Sequence, residues 1–304
     1  MIRRLKEKLK NSDIPFEQEV NAKNLSTFRI GGTVSLLVRP RCEEELIEAA
    51  LLCRETGLKY AVIGKGSNLL FGDGRIDTVL LQTTQMDAVR LTKTGVRAAC
   101  GVSLARLFAL SARAGFGGLE FACGIPGTLG GALAMNAGAH GKCIAQLVNG
   151  VRIFDFSDND IKSDHNFKKN ASYRDCGYQA GSVLFLSAEL DLDAAQDPRI
   201  LFEKARQLNA ARRASQPLDL PSAGCAFKRP DPTLPIGKLL DELGCKGMRC
   251  GGAAVSEKHA AFLVNQGGAN AKDVENLMLK IQEKVKKERG IILEREIRII
   301  PSMP

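Results

Sequence analysis

Gly124-Ile125-Pro126-Gly127-Thr128-Leu129-Gly130-Gly131-Ala132-Leu133-Ala134-Met135-Asn136-Ala137-Gly138-Ala139-His140-Gly141 carries six glycines among residues that are almost all small or apolar. Glycine has no Cβ, so it takes φ > 0 and lets backbone N–H groups approach a bulky polyanion where a larger side chain would collide. The stretch reads as a cradle for a dinucleotide diphosphate.

A second segment supports that reading. Tyr60-Ala61-Val62-Ile63 has strand character and feeds Gly64-Lys65-Gly66-Ser67-Asn68-Leu69-Leu70, with two glycines and the turn-forming pair Ser67 and Asn68. A strand that ends in such a turn presents an anion nest. The run is neither a Walker loop nor Gly-x-Gly-x-x-Gly, so P-loop and Rossmann folds lose their main sequence support.

Composition sets the frame. With 304 residues and 44% hydrophobic content, the chain can bury a substantial core and divides into two or three domains. No apolar run approaches the ~20 residues that span a bilayer. The N-terminus, Met1 to Lys10, carries charge through every turn, which excludes a signal-peptide apolar region, so the cytoplasm is the expected location and no membrane partner is expected. Nine cysteines lie scattered, and the closest pair, Cys245 and Cys250, lacks the spacing of a zinc knuckle or redox pair; no metal is expected and most thiols read as reduced and buried. The net charge of +9 is spread along a chain with only 5% aromatic residues and no Trp. That pattern argues against nucleic acid and fits a positive field that concentrates small polyanions.

Periodicity predicts an amphipathic helix over residues 1–12, then a small α+β region with strands at 34–38, 60–63 and 78–81 and a helix over 43–56. A second region opens with strands at 88–91 and 95–99 and a helix over 103–114; strands at 150–156 and 182–190 follow, separated by a polar connection over 157–178. After a basic helix ending near Arg213, Ser215 to Pro221 reads as a linker. Helices near 235–243 and 271–288 and a strand over 294–300 complete the chain.

Eight ordered blocks then resemble one family. Thr27-Phe28-Arg29-Ile30-Gly31-Gly32, Gly64 to Leu70, Gly124 to Gly141, Tyr173-Arg174-Asp175, Ala223 to Lys228, Leu243 to Gly247, Gly252 to Ser256 and Leu293 to Arg298 occur in the order found in UDP-N-acetylenolpyruvoylglucosamine reductases. The resemblance covers nearly the whole chain, and the absence of a large late insertion resembles the compact subtype. It implies an α+β fold: a two-part FAD-binding domain of the vanillyl-alcohol oxidase (PCMH) type over 1–82 and 83–205, and an α+β substrate-binding domain over 206–304. It also implies a bacterial cytoplasmic enzyme that uses NADPH and non-covalent FAD to reduce UDP-N-acetylglucosamine enolpyruvate to UDP-N-acetylmuramic acid.

The chemistry can be set beside the resemblance. An enolpyruvyl double bond accepts hydride at its terminal carbon only if the carboxylate takes up the developing charge, and a guanidinium fork suits that task. The resemblance assigns it to Arg174. Glu294 and Glu296 share a strand face, and either could assist by spacing alone; the resemblance selects Glu296, as the group that stabilises or protonates the substrate carboxylate. The carbon beside the hydride acceptor needs a proton, and the matching position, a serine in many members, is Cys225. A thiol, with an ordinary pKa of about 8.5, is a far stronger acid than an alcohol.

For FAD the resemblance implies contacts from Arg29, from Gly64, Lys65, Gly66, Ser67, Asn68 and Leu69, from Gly124, Ile125, Pro126, Gly127, Thr128, Gly130 and Gly131, and from Asn136, Ala137 and Gly138. For the nucleotide substrate it implies Tyr173, Lys228, Arg229, Lys246 and His259, with one of Arg212 or Arg213 also available to the diphosphate. His140 departs from a usual Tyr, and Arg229 and His259 depart from Asn and Gln of the longer subtype, which bears on diphosphate and uracil contacts. Two other classes stay open on the residues: another flavin oxidoreductase acting on a small alcohol, and a basic nucleic-acid binder whose glycine loops are only turns.

Overall fold

Branched and aromatic residues interleaved with polar ones over Val148–Asp155 and Val183–Asp191 build the two longest strands of the protein. They lie at the centre of a five-stranded antiparallel sheet in the order Asp160–Asp164, Val148–Asp155, Val183–Asp191, Gly95–Ala99, Val89–Leu91. The computed structural model describes residues 1–303, and the chain divides into two compact units. The first, made of Met1–Phe16, Leu37–Lys65 and Leu80–Arg212, contains this sheet.

Helices cover the sheet for identifiable reasons. Leu104–Arg113 starts where the Ser103 side chain accepts a hydrogen bond from Arg106 N, and it buries Leu104, Leu107, Phe108 and Ala112. Leu129–Ala134 starts at Thr128, whose hydroxyl accepts from Gly131 N. Both pack their apolar faces into one core with Phe167, Ala188 and Leu190. Residues 157–178, read as a polar connection, in fact hold the strand Asp160–Asp164 and the short helix Phe167–Asn170. Strand alternation there is only partial, and the segment becomes a strand because it pairs with five residues of Val148–Asp155.

The second unit comprises Glu17–Leu36, Gly66–Val79 and the described residues from Arg213 onward. Its antiparallel sheet runs Ser222–Cys225, Phe262–Asn265, Ala253–Val255, Arg249–Cys250. The helix Ala271–Arg289 buries Val274, Leu277, Met278, Ile281 and Val285 in the same core. Asn270 and Asp273 form its capping box, and Gly290, at φ 70°, ends it in the left-handed conformation. Phe28, Ile30 and Leu70 join this core from the N-terminal half of the chain. The last strand is Arg298–Ile300, shorter than the alternation over 294–300 predicts, and it pairs in parallel with Leu69–Phe71. Residues 294–296 instead make irregular main-chain ties to the segment after Cys225.

Candidate active site

The loop after the strand Tyr60–Ile63 is shaped by its glycines. Gly66 lies at φ 64°, and a Cβ there would stand 1.9 Å from the Leu25 carbonyl oxygen. No side chain fits. Among the described residues, the N–H groups of Lys65, Gly66, Ser67 and Asn68 donate to no main-chain carbonyl. Four successive N–H groups in one turn without a main-chain acceptor have the form of an anion nest.

Within the first unit, Gly64 meets Thr128. A Cβ on Gly64 would come within 2.2 Å of Thr128 Oγ1. Gly130 is needed for packing, since its Cβ would reach 2.9 Å from that of Cys100, and Gly130 N donates to Cys100 O at 2.7 Å. Gly131 is different. It is exposed, and a Cβ there would meet only Thr128 Oγ1, at 3.6 Å. Protein packing does not demand glycine at this position, so the open face beside it fits the close approach of a ligand.

Other residues predicted to touch the cofactor have protein work of their own. Asn136, buried and at φ 38°, donates from Nδ2 to Ser172 O at 2.8 Å and accepts from Ala145 N at 3.2 Å. Gly138 lies in a two-residue hairpin whose turn, His140 at φ 52° and Gly141 at φ 77°, has the type I′ sense. The His140 side chain is exposed. A Cβ on Gly124 would clash with Asn209 Oδ1 at 2.2 Å and crowd Arg212 Cδ at 3.3 Å.

Asn136 thereby anchors the turn that carries Arg174. Ser172 and Asp175 exchange main-chain hydrogen bonds of 3.0 and 3.2 Å, leaving Tyr173 and Arg174 at the tip. Arg174 sits at φ 58°, a conformation that costs a non-glycine residue roughly 1–2 kcal/mol. Its guanidinium carbon lies 5.3 Å from the Tyr173 ring centroid, within cation–π range. Of the eight described non-glycine residues with positive φ, Arg29, Asn136, His140 and Arg174 fall in the motif segments, and Asp13, Glu19, Asn159 and Ala195 outside them.

In the second unit, four motifs close into a ring of hydrogen bonds. Ser26 Oγ donates to Leu69 O at 3.0 Å, and Thr27 Oγ1 to Ser222 O at 2.7 Å, at the start of the strand that ends in Cys225. Asn68 Nδ2 donates to Glu296 O at 3.0 Å, and Glu296 N to Ala226 O at 2.8 Å. Cys225 and Glu296 are thus brought close along the backbone, while Arg174 belongs to the first unit. No residue type in the sequence signals these ties, because Ser26, Thr27 and Asn68 act on carbonyls far away in the chain.

A β-bulge sets the direction of Cys225. Ser222 pairs with Val264 but Cys225 with Phe262, so the strand has one extra residue, and Gly224 takes φ 80° there. Such a bulge re-aims the following side chain. The Ala-Gly-Cys sequence carried that signal. The two candidate carboxylates also separate: the Glu294 side chain is 71% exposed and pairs with Lys228 at 2.6 Å, whereas Glu296 is 9% exposed.

Of the remaining predicted substrate contacts, Lys246 pairs with Asp241 at 2.7 Å, and exposed Arg229 lowers the pKa of Asp231 through its charge, behind the hydrogen bonds from Thr233. His259 is half-buried. Its Nδ1 faces Ala261 N at 3.3 Å, and its ring meets Phe262 edge-on and packs at Gly237. Burial pushes its pKa below the usual value, and the Lys246 charge adds to that. Among the described residues there is no cluster of three metal-ligating side chains, and no helix is long and apolar enough to cross a membrane.

Residues 34–162 match the family described as FAD binding domain, which makes this a flavin-binding oxidoreductase. Residues 216–300 match the C-terminal domain of UDP-N-acetylenolpyruvoylglucosamine reductase. Curated reductases of that name from Caldicellulosiruptor bescii and Clostridium botulinum are 38% and 35% identical; each alignment covers 96% of this chain, and 93% and 97% of the relative. The crystal structure of the Thermus caldophilus UDP-N-acetylenolpyruvylglucosamine reductase is similar with a TM-score of 0.79 and 31% identity, over 95% of this chain and all of that one. The chain belongs to the UDP-N-acetylenolpyruvoylglucosamine reductase family, FAD enzymes of peptidoglycan precursor synthesis.

Proposed function

We propose that this enzyme uses NADPH to reduce UDP-N-acetylglucosamine enolpyruvate to UDP-N-acetylmuramic acid, in two half-reactions. Gly64 to Leu69 and Thr128 to Gly131 are the segments that would hold FAD without a covalent bond, and the bound flavin would supply two-electron chemistry between NADPH and the terminal enolpyruvyl carbon. Arg174 pairs with the substrate carboxylate and stabilises the enolate-like charge that develops as the double bond breaks. Glu296 acts on the same carboxylate. Cys225 delivers its thiol proton to the adjacent carbon, and the thiolate regains a proton from solvent, so that one hydride and one proton are added.

The observation that carries this reading is the bulge at Gly224, which re-aims Cys225 beside a backbone tied to the buried Glu296. Tyr173, Lys228, Arg229, Lys246 and His259 are the substrate-binding part of the proposal. Lys228 and Lys246 would have to exchange their carboxylate partners, Glu294 and Asp241, for diphosphate oxygens. The division into 1–82, 83–205 and 206–304 remains part of the proposal: the FAD-binding match over 34–162 runs across its first boundary, and the C-terminal match over 216–300 lies inside its last part. A bacterial cytoplasmic location is supported by the chemistry of soluble nucleotide substrates.

Stopped-flow kinetics of Cys225 variants test it. Cys225→Ala should slow flavin reoxidation by the enolpyruvyl nucleotide by about 10²-fold or more while sparing reduction by NADPH, and Cys225→Ser should retain turnover. Normal reoxidation in the alanine variant would remove Cys225 from the chemistry.

A further inference from the structure

The main-chain N–H and C=O of Glu296 both have a defined partner. Its N–H donates to Ala226 O at 2.8 Å, and on the upstream side Lys228 N donates to Glu294 O at 2.9 Å. On the downstream side one residue provides both contacts. Asn68 Nδ2 donates to Glu296 O at 3.0 Å, and Asn68 O accepts from Arg298 N at 3.0 Å. The second bond belongs to the register that continues into the parallel pair Arg298 with Leu69. It would survive any side-chain change at 68. The first bond depends on the asparagine amide alone.

We propose that Asn68 is a positioning residue for Glu296, holding its carbonyl so that the glutamate carboxylate leaves the backbone in one direction, while the same residue contributes its N–H to the phosphate loop. The proposal rests on the reading of Glu296 as a group that acts on the substrate. With N–H and C=O of residue 296 both pinned, its φ and ψ are fixed, and the carboxylate is aimed before substrate arrives. Without the amide donor, the peptide plane after Glu296 is free to rotate, and a half-buried carbonyl loses its partner. A released carbonyl lets the Cα that carries the carboxylate shift, and a shift of about an ångström is enough to weaken a hydrogen bond whose useful range is about 2.7–3.2 Å. Asn68 thereby links the loop that would carry the flavin diphosphate to the group that acts on the substrate carboxylate. Asparagine suits both tasks, since its short amide reaches a neighbouring strand without leaving the turn.

The test uses the FAD-loaded enzyme with Asn68→Ala and Asn68→Asp, alone and combined with Glu296→Gln. Aspartate keeps the shape but cannot donate to a carbonyl, so it serves if the alanine variant fails to fold. Flavin reoxidation by the enolpyruvyl nucleotide should fall by roughly 10–100-fold, at least ten times more than flavin reduction by NADPH, and Asn68→Ala should add less than about 3-fold to the loss already caused by Glu296→Gln. Equal slowing of both half-reactions, or full additivity with Glu296→Gln, would overturn the positioning role. A Glu296→Gln enzyme that reoxidises normally would instead overturn the reading of Glu296 on which the proposal rests, and the single variants distinguish the two failures.

Discussion

Gly66→Ala probes the phosphate loop most sharply. At φ 64° an alanine costs roughly 1–2 kcal/mol in backbone conformation alone. The contact is more severe. The new Cβ would stand 1.9 Å from Leu25 O and 3.0 Å from Ser26 Cα, while ordinary contact begins at 3.4 Å, so the backbone must separate by 3.4 − 1.9 = 1.5 Å. Leu25 cannot give way freely, because it is buried at the end of the turn Ala22–Leu25 and Ser26 Oγ is fixed to Leu69 O. The loop moves instead. A 1.5 Å shift takes N–H donors out of hydrogen-bond range of a diphosphate, and losing two bonds to a charged acceptor, at about 1.5–3 kcal/mol each, corresponds to a roughly 10²–10⁴-fold weaker FAD complex. Fluorescence titration of the apoprotein with FAD measures this directly. Gly131→Ala is the companion: with only one contact at 3.6 Å it should unfold no more easily than wild type yet bind FAD more weakly. Affinity within about 3-fold of wild type in Gly66→Ala would refute the assignment of this loop to the diphosphate.

Glu294→Gln removes one partner of an exposed ion pair and should change reoxidation by less than about 5-fold, whereas Glu296→Gln should lower it by about 10²-fold or more; reversed sensitivities would move the role to Glu294. Arg174→Gly relieves a left-handed residue, so thermal unfolding should occur no lower than in wild type while substrate-driven reoxidation is lost, and a lowered melting temperature would deny the strain. His259 has a depressed pKa in the fold, so between that value and the unfolded value of about 6.5 the unfolded chain binds more protons and stability falls as pH falls. Urea unfolding at neutral pH and about pH 5.5 should show a smaller acid loss in His259→Gln than in wild type, and equal losses would contradict the burial of a neutral imidazole.

Much of this was written in local sequence. Glycines that require φ > 0, Ser103 and Thr128 as helix starts, and the periodic face of Ala271–Arg289 are consequences of neighbouring residues, so they could be read from the chain. The strand Asp160–Asp164 could not, because only pairing with Val148–Asp155 makes it a strand. Asn136 reads as a cofactor contact within its motif, and its link to Ser172 appears only when the chain folds back 36 residues later. The choice between Glu294 and Glu296 is of the same kind. Spacing treats them alike, and burial separates them, since the Lys228 partner holds one at the surface. Thr27, Asn68 and Ala226 make the ring around Cys225 and Glu296 through main-chain carbonyls, which no residue type announces.

The protein can be loaded with FAD, reduced anaerobically with NADPH, and mixed with UDP-N-acetylglucosamine enolpyruvate while the visible flavin absorbance is followed. The oxidised spectrum should return with one equivalent of substrate consumed per flavin and UDP-N-acetylmuramic acid formed. Reduced flavin that persists in the presence of the enolpyruvyl nucleotide would mean that the protein does not catalyse this reduction.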